Sequence, residues 1–392
     1  MSSPNVAVLH GNYFAQGGGE RVAEALAKAF DAPLYYGFGD RAEIPNNGIE
    51  HIRLFDSGPI TNRLASHIFQ FRDACFMWWG QHLPALTDYD VIITSGNEFG
   101  WYVPPDDQIV VKYVHSPPRG AYDLFHTEGQ HKLFRLYQSL VRPLYRPTTS
   151  YPDVHVANSE LVQRRITKYW GLDSDVVYPP VDTGGFGREV TPTESDLYIT
   201  INRLYDHKRT DEIVEAFGEM PNRRLVVCGN GPERERLEEC APSNVDVRGY
   251  VSEGEKADLL SRASALIQNA RNEDFGIVPI EAFASGTPVI GVRDGFTQYQ
   301  IVNGVNGRTY ANEGRVAAIH EAVRKFERDG IKMDDTALER FAENFSFERF
   351  AREMHDTVER MLEKTTIQST VDEYILDGPG PLRSPEAGGV SE

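Results

Sequence analysis

Residues 265–292 read ALIQNARNEDFGIVPIEAFASGTPVIGV, and this stretch predicts one strand–helix–strand unit of a parallel sheet. Ala265–Gln268 and Val289–Val292 are short apolar runs typical of buried strands. Pro279 suits the first turn of a helix, where its missing N–H costs nothing, and Gly286 marks the helix end. A helix of about two turns is therefore expected between two strands that point the same way.

The same alternation of strands and helices occurs twice along the chain. The first series begins with the strand Asn5–His10 and a glycine-rich turn, and the second begins with the strand Leu197–Ile201. Residues 177–185 (VYPPVDTGG) are rich in proline and glycine and indicate a connection between two domains. We therefore predict an α/β protein with two Rossmann-like domains facing each other across a cleft. The expected divisions are an N-terminal domain (1–180), a C-terminal domain (181–345), a C-terminal helix packing back on the first domain (346–365) and a disordered tail (366–392).

Composition limits the function and the compartment. The 392 residues carry a net charge of -18, and phosphate backbones need a basic surface, so no nucleic-acid partner is expected. Only nine of the 40 basic residues are lysine, which suits either a salt-rich cytoplasm or an ordinary acidic cytosolic protein. Three scattered cysteines indicate a reducing compartment. No signal peptide or membrane span is visible, so we expect a cytoplasmic protein, with peripheral contact to the inner membrane face as an alternative.

The loop between the first strand and the helix of the opening stretch holds a candidate binding site. Glu273 and Glu281 stand on either side of Gly276, just where the helix begins. The N–H groups of Phe275, Gly276 and Ile277 would reach hydroxyls or phosphate oxygens, because glycine permits close approach and helix N-termini attract anions. Each carboxylate would then hold one end of a polyol ligand. A simpler alternative is that Glu281 only complements the positive end of the helix.

Two further groups of polar residues follow predicted strands. Arg203 and Lys208 come after the strand Leu197–Ile201, and an arginine fork with a lysine charge suits a diphosphate. His115 closes the strand Ile109–Val114 of the first domain. Taken singly, these residues have simpler explanations as an exposed basic loop and a structural histidine. All of them lie at the carboxyl ends of strands, where α/β sheets bind ligands.

Six segments together resemble the retaining glycosyltransferases of family 4, which share the two-domain GT-B fold. The resemblance extends from Val6 to about Leu362. Its segments, in chain order, are Gly18–Arg21, His115–Arg119, Asn158–Ser159 with Arg165–Ile166, Tyr178–Asp182, Arg203 with Lys208, and Glu273–Glu281. One glutamate pair is a weak signal, but six segments in the same order are specific.

The resemblance implies that the N-terminal domain (1–180) is the acceptor side and that the C-terminal domain (181–345) binds the donor nucleotide, with residues of both domains around the donor. The positions that it assigns to catalysis are His115, Arg203, Lys208 and Glu273. The positions that it assigns to donor binding are Gly18, Gly19, Phe275, Gly276, Ile277 and Glu281. Within this set, Arg203 and Lys208 would hold the diphosphate, His115 and Glu273 would contact the transferred sugar, and Glu281 would bind the nucleotide ribose.

The implied activity is transfer of a hexose from a UDP- or GDP-hexose to a glycan acceptor, with retention of configuration, no cofactor and no metal ion. Two cations beside the departing diphosphate make a metal unnecessary. Asp88–Asp90 and Asp173–Asp175 have the look of metal-binding pairs, but we interpret them as turn and cap residues. One departure from the family pattern is residues 294–299 (DGFTQY), which keep a single glycine where paired glycines and a glutamate are often found. No ligand role is transferred to this loop.

The acceptor is expected to be a lipid-linked oligosaccharide or a cell-surface glycan. Residues 67–79 (HIFQFRDACFMWW) are densely aromatic and form either a buried helix of the first domain, which is the commoner arrangement, or a membrane-facing segment. Residues 132–146 alternate basic and apolar side chains. They form either a solvated amphipathic helix or a contact with anionic lipid headgroups.

Three other functions compete with this interpretation. A glycogen- or sucrose-synthase-like transferase would use a soluble acceptor, although the short N-terminal domain lacks large insertions. A nicotinamide oxidoreductase would show Gly-x-Gly-x-x-Gly after the first strand, and that motif is absent there. The third alternative is a non-catalytic sugar-nucleotide-binding relative. Such a protein would not need to keep all five polar candidates, which are His115, Arg203, Lys208, Glu273 and Glu281.

Overall fold

The computed structural model describes residues 4–14, 17–55, 58–126, 132–186 and 194–377, apart from the side chains of 146–147 and 365–377. Within these residues, the strands form two sheets. The first contains β1 (Val6–Tyr13), β2 (Leu34–Gly39), β3 (His51–Arg53), β4 (Val91–Ser95), β5 (Ile109–Val114), β6 (Val154–Ala157) and β7 (Asp175–Val176). The second contains β8 (Glu194–Ile201), β9 (Arg224–Cys228), β10 (Val245–Gly249), β11 (Ala263–Gln268), β12 (Val289–Val292) and β13 (Gly307–Tyr310).

Helices connect the strands and cover both sheets. They are α1 (Gly18–Ala29), α2 (Pro59–His67), α3 (Phe69–Trp79), α4 (Lys132–Thr148), α5 (Glu160–Trp170), α6 (Thr210–Gly218), α7 (Arg234–Cys240), α8 (Glu253–Arg262), α9 (Val278–Ala284), α10 (Thr297–Gln300), α11 (Arg315–Asp329), α12 (Asp335–Ala342) and α13 (Phe347–Asp377). Among the described residues, none of these helices combines the length and the apolar character needed to cross a bilayer.

Both sheets have the topology of a doubly wound fold. The strand orders are β3-β2-β1-β4-β5-β6-β7 and β10-β9-β8-β11-β12-β13, and every pairing between these strands is parallel. The order reverses between β1 and β4 and again between β8 and β11, and ligands bind in the crevices that such reversals leave at the carboxyl ends of strands. The two parallel α/β sheets expected from the sequence are confirmed.

The C-terminal helix returns to the first sheet. Phe350, Met354 and Val358 of α13 are buried in one apolar cluster with Val22 and Leu26 of α1. The helical spacing of these three residues places them on one face, so α13 covers part of the first sheet after the chain has completed the second.

The end of the chain differs from the expectation. Helix α13 continues to Asp377. The sequence predicted a helix that ends at residue 365 and a disordered tail that begins at residue 366. Apolar residues recur at Ile367, Val371 and Ile375, so the helical period extends past the predicted end. The rest of the predicted tail, residues 378–392, lies outside the described residues.

The aromatic stretch 67–79 is only partly buried. In α3, Cys75 and Phe76 are buried, but the Trp78 side chain is 78% exposed. Aromatic residues occur on more than one side of this short helix, and a single core contact cannot cover them all. The prediction of a buried helix is therefore wrong for the outer face of α3.

Candidate functional site

Lys208 and Glu273 meet where β8 and β11 end. Lys208 closes a short 3-10 turn (Asp206–Lys208) after β8, and Glu273 lies in the loop after β11. Because the two strands are neighbours, their following loops converge, and Nζ of Lys208 donates a hydrogen bond to Oε2 of Glu273. Burial raises the pKa of Glu273, but the adjacent ammonium outweighs it, and the net pKa is lowered. The carboxylate of Glu273 is therefore ionised at neutral pH.

Asp274 is fixed from the opposite half of the molecule. Nη1 of Arg165 donates to Oδ1 of Asp274, and Nη1 of Arg119 approaches Oδ2 at 3.4 Å. Oγ of Ser159 donates to the Asp274 carbonyl at 2.7 Å, and Nη2 of Arg165 donates to Oδ1 of Asn272 at 2.8 Å. All three donors belong to the first half of the chain, so the conformation of the loop depends on the position of that half.

Glu281 is a buried carboxylate with two cationic partners. Nζ of Lys256 donates to its Oε1 at 2.7 Å, and Nη1 of Arg21 donates to the same oxygen at 3.3 Å. Arg21 comes from α1 in the first half and also contacts Glu253 at 2.6 Å. Complementing the positive end of α9 does not account for these contacts, so the simpler explanation of Glu281 is incomplete.

His115 and the glycine turn face each other across the carboxyl edge of the first sheet. Nε2 of His115 lies 2.9 Å from Oγ of Ser95. A Cβ on Gly19 would be 3.9 Å from the same nitrogen, and a Cβ on Gly18 would be 3.3 Å from Cδ1 of Ile277 in the second half. Burial, helped by the charge of His10, lowers the pKa of His115 to about 4, so its imidazole is neutral at neutral pH.

Arg203 is exposed in the loop after β8. Its charge nevertheless reaches the first half: burial raises the pKa of Glu20, while His10 and, less strongly, Arg203 lower it, with a net lowering. The guanidinium thus lies on the side of the second sheet that faces α1.

The predicted N–H donors precede α9. Phe275 is buried in an aromatic cluster with Tyr178, Phe296 and Phe345, and Gly276 has φ +81°, which favours glycine. Among the described residues, none accepts a hydrogen bond from the N–H groups of Phe275, Gly276 or Ile277. These groups remain available to a ligand.

The loop 294–299 packs against the backbone of Glu273. Gly295 has φ +57°, and a Cβ there would lie 2.2 Å from the backbone nitrogen of Glu273. The N–H of Phe296 donates to the Glu273 carbonyl at 2.7 Å. The single glycine that this chain keeps in the loop therefore serves the close approach of two backbones.

Several residues that complete the site were not predicted from the sequence. Arg21, Arg119 and Arg165 lie within the segments that carry the family resemblance, which was the available signal. Lys256 lies in α8, far from any motif, and only the tertiary structure brings it to Glu281. Among the described residues, no three His, Cys, Asp or Glu side chains form a metal-binding group. The acidic pairs set aside earlier have protein partners in Asn5 (for Asp90) and Arg360 (for Asp175).

Sequence comparisons find one family model and several relatives. Residues 186–344 match the family model described as Glycosyl transferases group 1. The human alpha-1,3/1,6-mannosyltransferase ALG2 is 27% identical over 291 residues, which is 64% of this chain and 68% of that protein. The GDP-mannose-dependent alpha-(1-6)-phosphatidylinositol dimannoside mannosyltransferase of Mycobacterium tuberculosis (strain ATCC 25177 / H37Ra) is 30% identical over 188 residues, which is 46% of this chain and 48% of that protein.

Comparisons with solved structures confirm the predicted GT-B fold. Sucrose-phosphate synthase from Thermosynechococcus elongatus superposes with a TM-score of 0.72 at 18% identity, covering 91% of this chain and 100% of that one. Anabaena Alr3699/HepE, in complex with UDP and glucose, superposes with a TM-score of 0.69 at 14% identity, covering 90% and 100%. At these identities the likeness concerns the fold alone.

Proposed function

We propose that this chain, which belongs to the glycosyl transferases group 1 family, transfers a hexose from a nucleoside diphosphate sugar to a glycan acceptor with retention of configuration. The observation that carries the proposal is the contact of Lys208 with Glu273 in the cleft. It lies beside the free N–H groups before α9, and Arg203 follows the same strand as Lys208. A cation, a carboxylate and N–H donors together suit a diphosphate attached to a polyol.

The cations would stabilise the leaving group. As the bond between the sugar and the diphosphate breaks, negative charge grows on the phosphate oxygens. Lys208 is held in place before the reaction by Glu273, and one such preorganised donor is typically worth roughly 3–4 kcal/mol. With Arg203 in the same loop, the two cations would also provide the charge that a divalent ion would otherwise supply, which supports a reaction without a metal.

The proposal of retention is supported by the state of Glu273. Its carboxylate is paired with Lys208, so it is better suited to hold sugar hydroxyls than to attack the anomeric carbon. The departing phosphate oxygen would then take the proton of the acceptor hydroxyl, and attack would occur on the face that the phosphate leaves. Neutral His115 fits this scheme, because an uncharged imidazole would not compete with the cations for the negative charge on the departing phosphate.

The donor is proposed from the relatives. Both named relatives are mannosyltransferases, and the mycobacterial one is GDP-mannose-dependent by name. The Anabaena structure contains UDP and glucose, but it shares only the fold. GDP-mannose is therefore the first donor to test and UDP-glucose the second. The likeness to sucrose-phosphate synthase is likewise one of fold and does not favour a soluble acceptor.

A thermal-shift screen tests the proposal. GDP-mannose, UDP-glucose, GDP and UDP are added to the protein, and a ligand at 100 times its Kd should stabilise the folded form by about 2.7 kcal/mol. The donor that raises Tm is then incubated with a mannoside acceptor, and NMR identifies the anomer formed. A protein that no nucleotide stabilises, or a product with inverted configuration, would contradict the proposal.

We further propose peripheral contact with a membrane through α4. The side chains of Leu133, Leu136, Leu140 and Leu144 are 69%, 56%, 67% and 45% exposed and follow one side of the helix. Lys132, which is exposed at the start of the same helix, would attract anionic headgroups. Vesicles containing anionic lipid should carry the protein upward in flotation, and Leu136→Ser with Leu140→Ser should abolish this.

A control uses exposed apolar residues of the second half. Tyr250→Ser with Val302→Ser removes side chains that are 74% and 53% exposed and should leave flotation unchanged. If the wild-type protein does not float, or if both double variants float equally well, α4 is not a membrane contact.

A further inference from the structure

Arg209 is a buried arginine beside the cation proposed to hold the diphosphate. It directly follows Lys208, and only 4% of its surface is exposed. Its backbone has φ +51° and ψ +40°, the left-handed region that favours glycine. A larger residue keeps such a conformation only where the surrounding contacts impose it, so the contacts of the Arg209 side chain determine the shape of this loop.

The guanidinium of Arg209 joins the loops that follow three other strands. Nε donates to the Asn269 carbonyl after β11 at 2.9 Å, Nη1 to Oδ1 of Asn312 after β13 at 2.8 Å, and Nη2 to Oδ2 of Asp294 after β12 at 3.1 Å. In return, Nδ2 of Asn269 donates to the Arg209 carbonyl at 3.0 Å. Because β8, β11, β12 and β13 are consecutive in the sheet, one side chain fixes four loops at its carboxyl edge.

These loops surround the contact between Lys208 and Glu273. The loop after β8 carries Lys208, and the loop after β11 carries Glu273. Asp294 adjoins Gly295, where a Cβ would lie 2.2 Å from the backbone nitrogen of Glu273. Arg209 therefore connects the segment of the cation to both segments that hold the carboxylate.

We propose that Arg209 is a positioning residue for sugar transfer, which places the Lys208 ammonium against the Glu273 carboxylate by tying the four loops together. The inference rests on the proposed function and identifies what fixes the cation that would stabilise the leaving diphosphate.

A direct contact of Arg209 with the donor fits the geometry poorly. All three nitrogens of the guanidinium already donate to protein oxygens, and the residue is almost fully buried. The planar fork of arginine presents donors in several fixed directions, which the single ammonium of a lysine cannot do. The side chain thus acts through the loops that it joins.

Titration of Glu273 tests the proposal without a donor. Glutamate carrying ¹³C in its carboxyl group is incorporated, and the Glu273 signal is assigned by its loss in Glu273→Gln. Arg209→Gly removes the side chain and suits the left-handed backbone, so the variant should fold. If Lys208 then moves away, the titration midpoint of Glu273 should rise by about one pH unit or more, since an opposite charge within ~4–6 Å lowers a carboxyl pKa by ~1–3 units.

Two further variants separate position from charge and from general stability. Arg209→Lys keeps the charge but cannot span the three acceptors, so it should raise the midpoint as well. Arg223→Ala should leave the midpoint unchanged, because Arg223 precedes β9 at the opposite edge of the sheet, where it donates two hydrogen bonds to Glu327. A midpoint that stays at the wild-type value in either Arg209 variant overturns the proposal, as does an equal rise in Arg223→Ala.

Kinetics with the donor found in the thermal-shift screen test the same inference. Arg209→Gly should lower kcat about 10²-fold, as a displacement of ~1 Å can. In a Lys208→Ala background the same change should lower kcat by at most about threefold, because residues that act through one contact are not additive. Losses that multiply would overturn the proposal. If the screen finds no donor, the proposed function fails, and the Glu273 titration still decides whether Arg209 positions Lys208.

Discussion

At the level of single residues, the contact between Lys208 and Glu273 determines the pKa of the Glu273 carboxylate. The Lys208 ammonium lowers the pKa of the Glu273 carboxylate, which burial alone would raise, so Glu273 keeps its charge inside the cleft. Their chain positions, each just after a strand, were readable in the sequence. Their direct contact was not, because it depends on β8 and β11 being neighbours in the sheet.

Replacing Lys208 should reduce turnover far more than it changes the fold. We expect Lys208→Ala to lower the transfer rate about 10²–10³-fold, as the loss of one preorganised donor typically does. The measurement is kcat for nucleoside diphosphate release with the donor found by the thermal-shift screen. Lys325→Ala is the matched control, because Lys325 is exposed and its ion-pair partner Glu321 is exposed too. Near-normal turnover in Lys208→Ala would remove Lys208 from the mechanism.

His115 should remain neutral well below the usual histidine range. Since its pKa is lowered to about 4, the imidazole should not titrate between pH 8 and pH 5. The unfolded chain takes up this proton near 6.5, so acidification below that value should lower the stability of the fold. The measurement is the pH dependence of the imidazole ¹H–¹³C resonances, with His115→Gln to assign the signal. A midpoint above 6 would contradict the expectation.

At the scale of elements, strand ends were easier to predict than helix surfaces. The predicted bounds of β5 and β12 match the structure, because continuous apolar runs between turn residues are typical of buried parallel strands. The exposed face of α3 and the length of α13 were missed. The sequence of a helix shows which of its residues are apolar. It does not show how many of them another element covers.

Gly295 should be the more sensitive of two glycines with the same backbone conformation. Gly295 and Gly314 both have φ +57°, but a Cβ on Gly314 would meet no atom within 4 Å. We expect Gly314→Ala to cost about 1–2 kcal/mol, the usual penalty of the left-handed region. Gly295→Ala should cost about 1–3 kcal/mol more, because its Cβ would collide with the Glu273 backbone.

Thermal unfolding and kinetics of both variants test this element. Gly295→Ala should show the larger fall in Tm and also lose transfer activity, since the loop that carries Glu273 would have to shift. Gly314→Ala should keep its activity. Equal effects of the two substitutions would mean that the loop 294–299 does not position Glu273.

At the scale of the whole molecule, the site exists only when the two halves are in contact. Glu281 is held partly by Arg21 of the first half, and the loop of Asp274 is held by Arg165 and Arg119. Each half could be outlined from sequence, because its strands and helices follow local patterns. These contacts across the cleft could not, because they join residues more than a hundred positions apart and depend on how the two domains are placed.

The pair of Arg165 and Asp274 should therefore couple the stability of the molecule to donor binding. A double-mutant cycle of Arg165→Met and Asp274→Asn should give a coupling energy of about 1–3 kcal/mol, because the side chains are in direct contact and only 6% and 21% exposed. Each single variant should also bind the nucleotide more weakly, since the loop that carries Glu273 loses its anchor. The exposed pair Arg234 and Glu238, 41% and 42% exposed within the second half, is the control and should couple by at most ~1 kcal/mol with no effect on the nucleotide. Additive effects of Arg165→Met and Asp274→Asn on both Tm and nucleotide affinity would show that the two halves position the donor loop by contacts other than this pair.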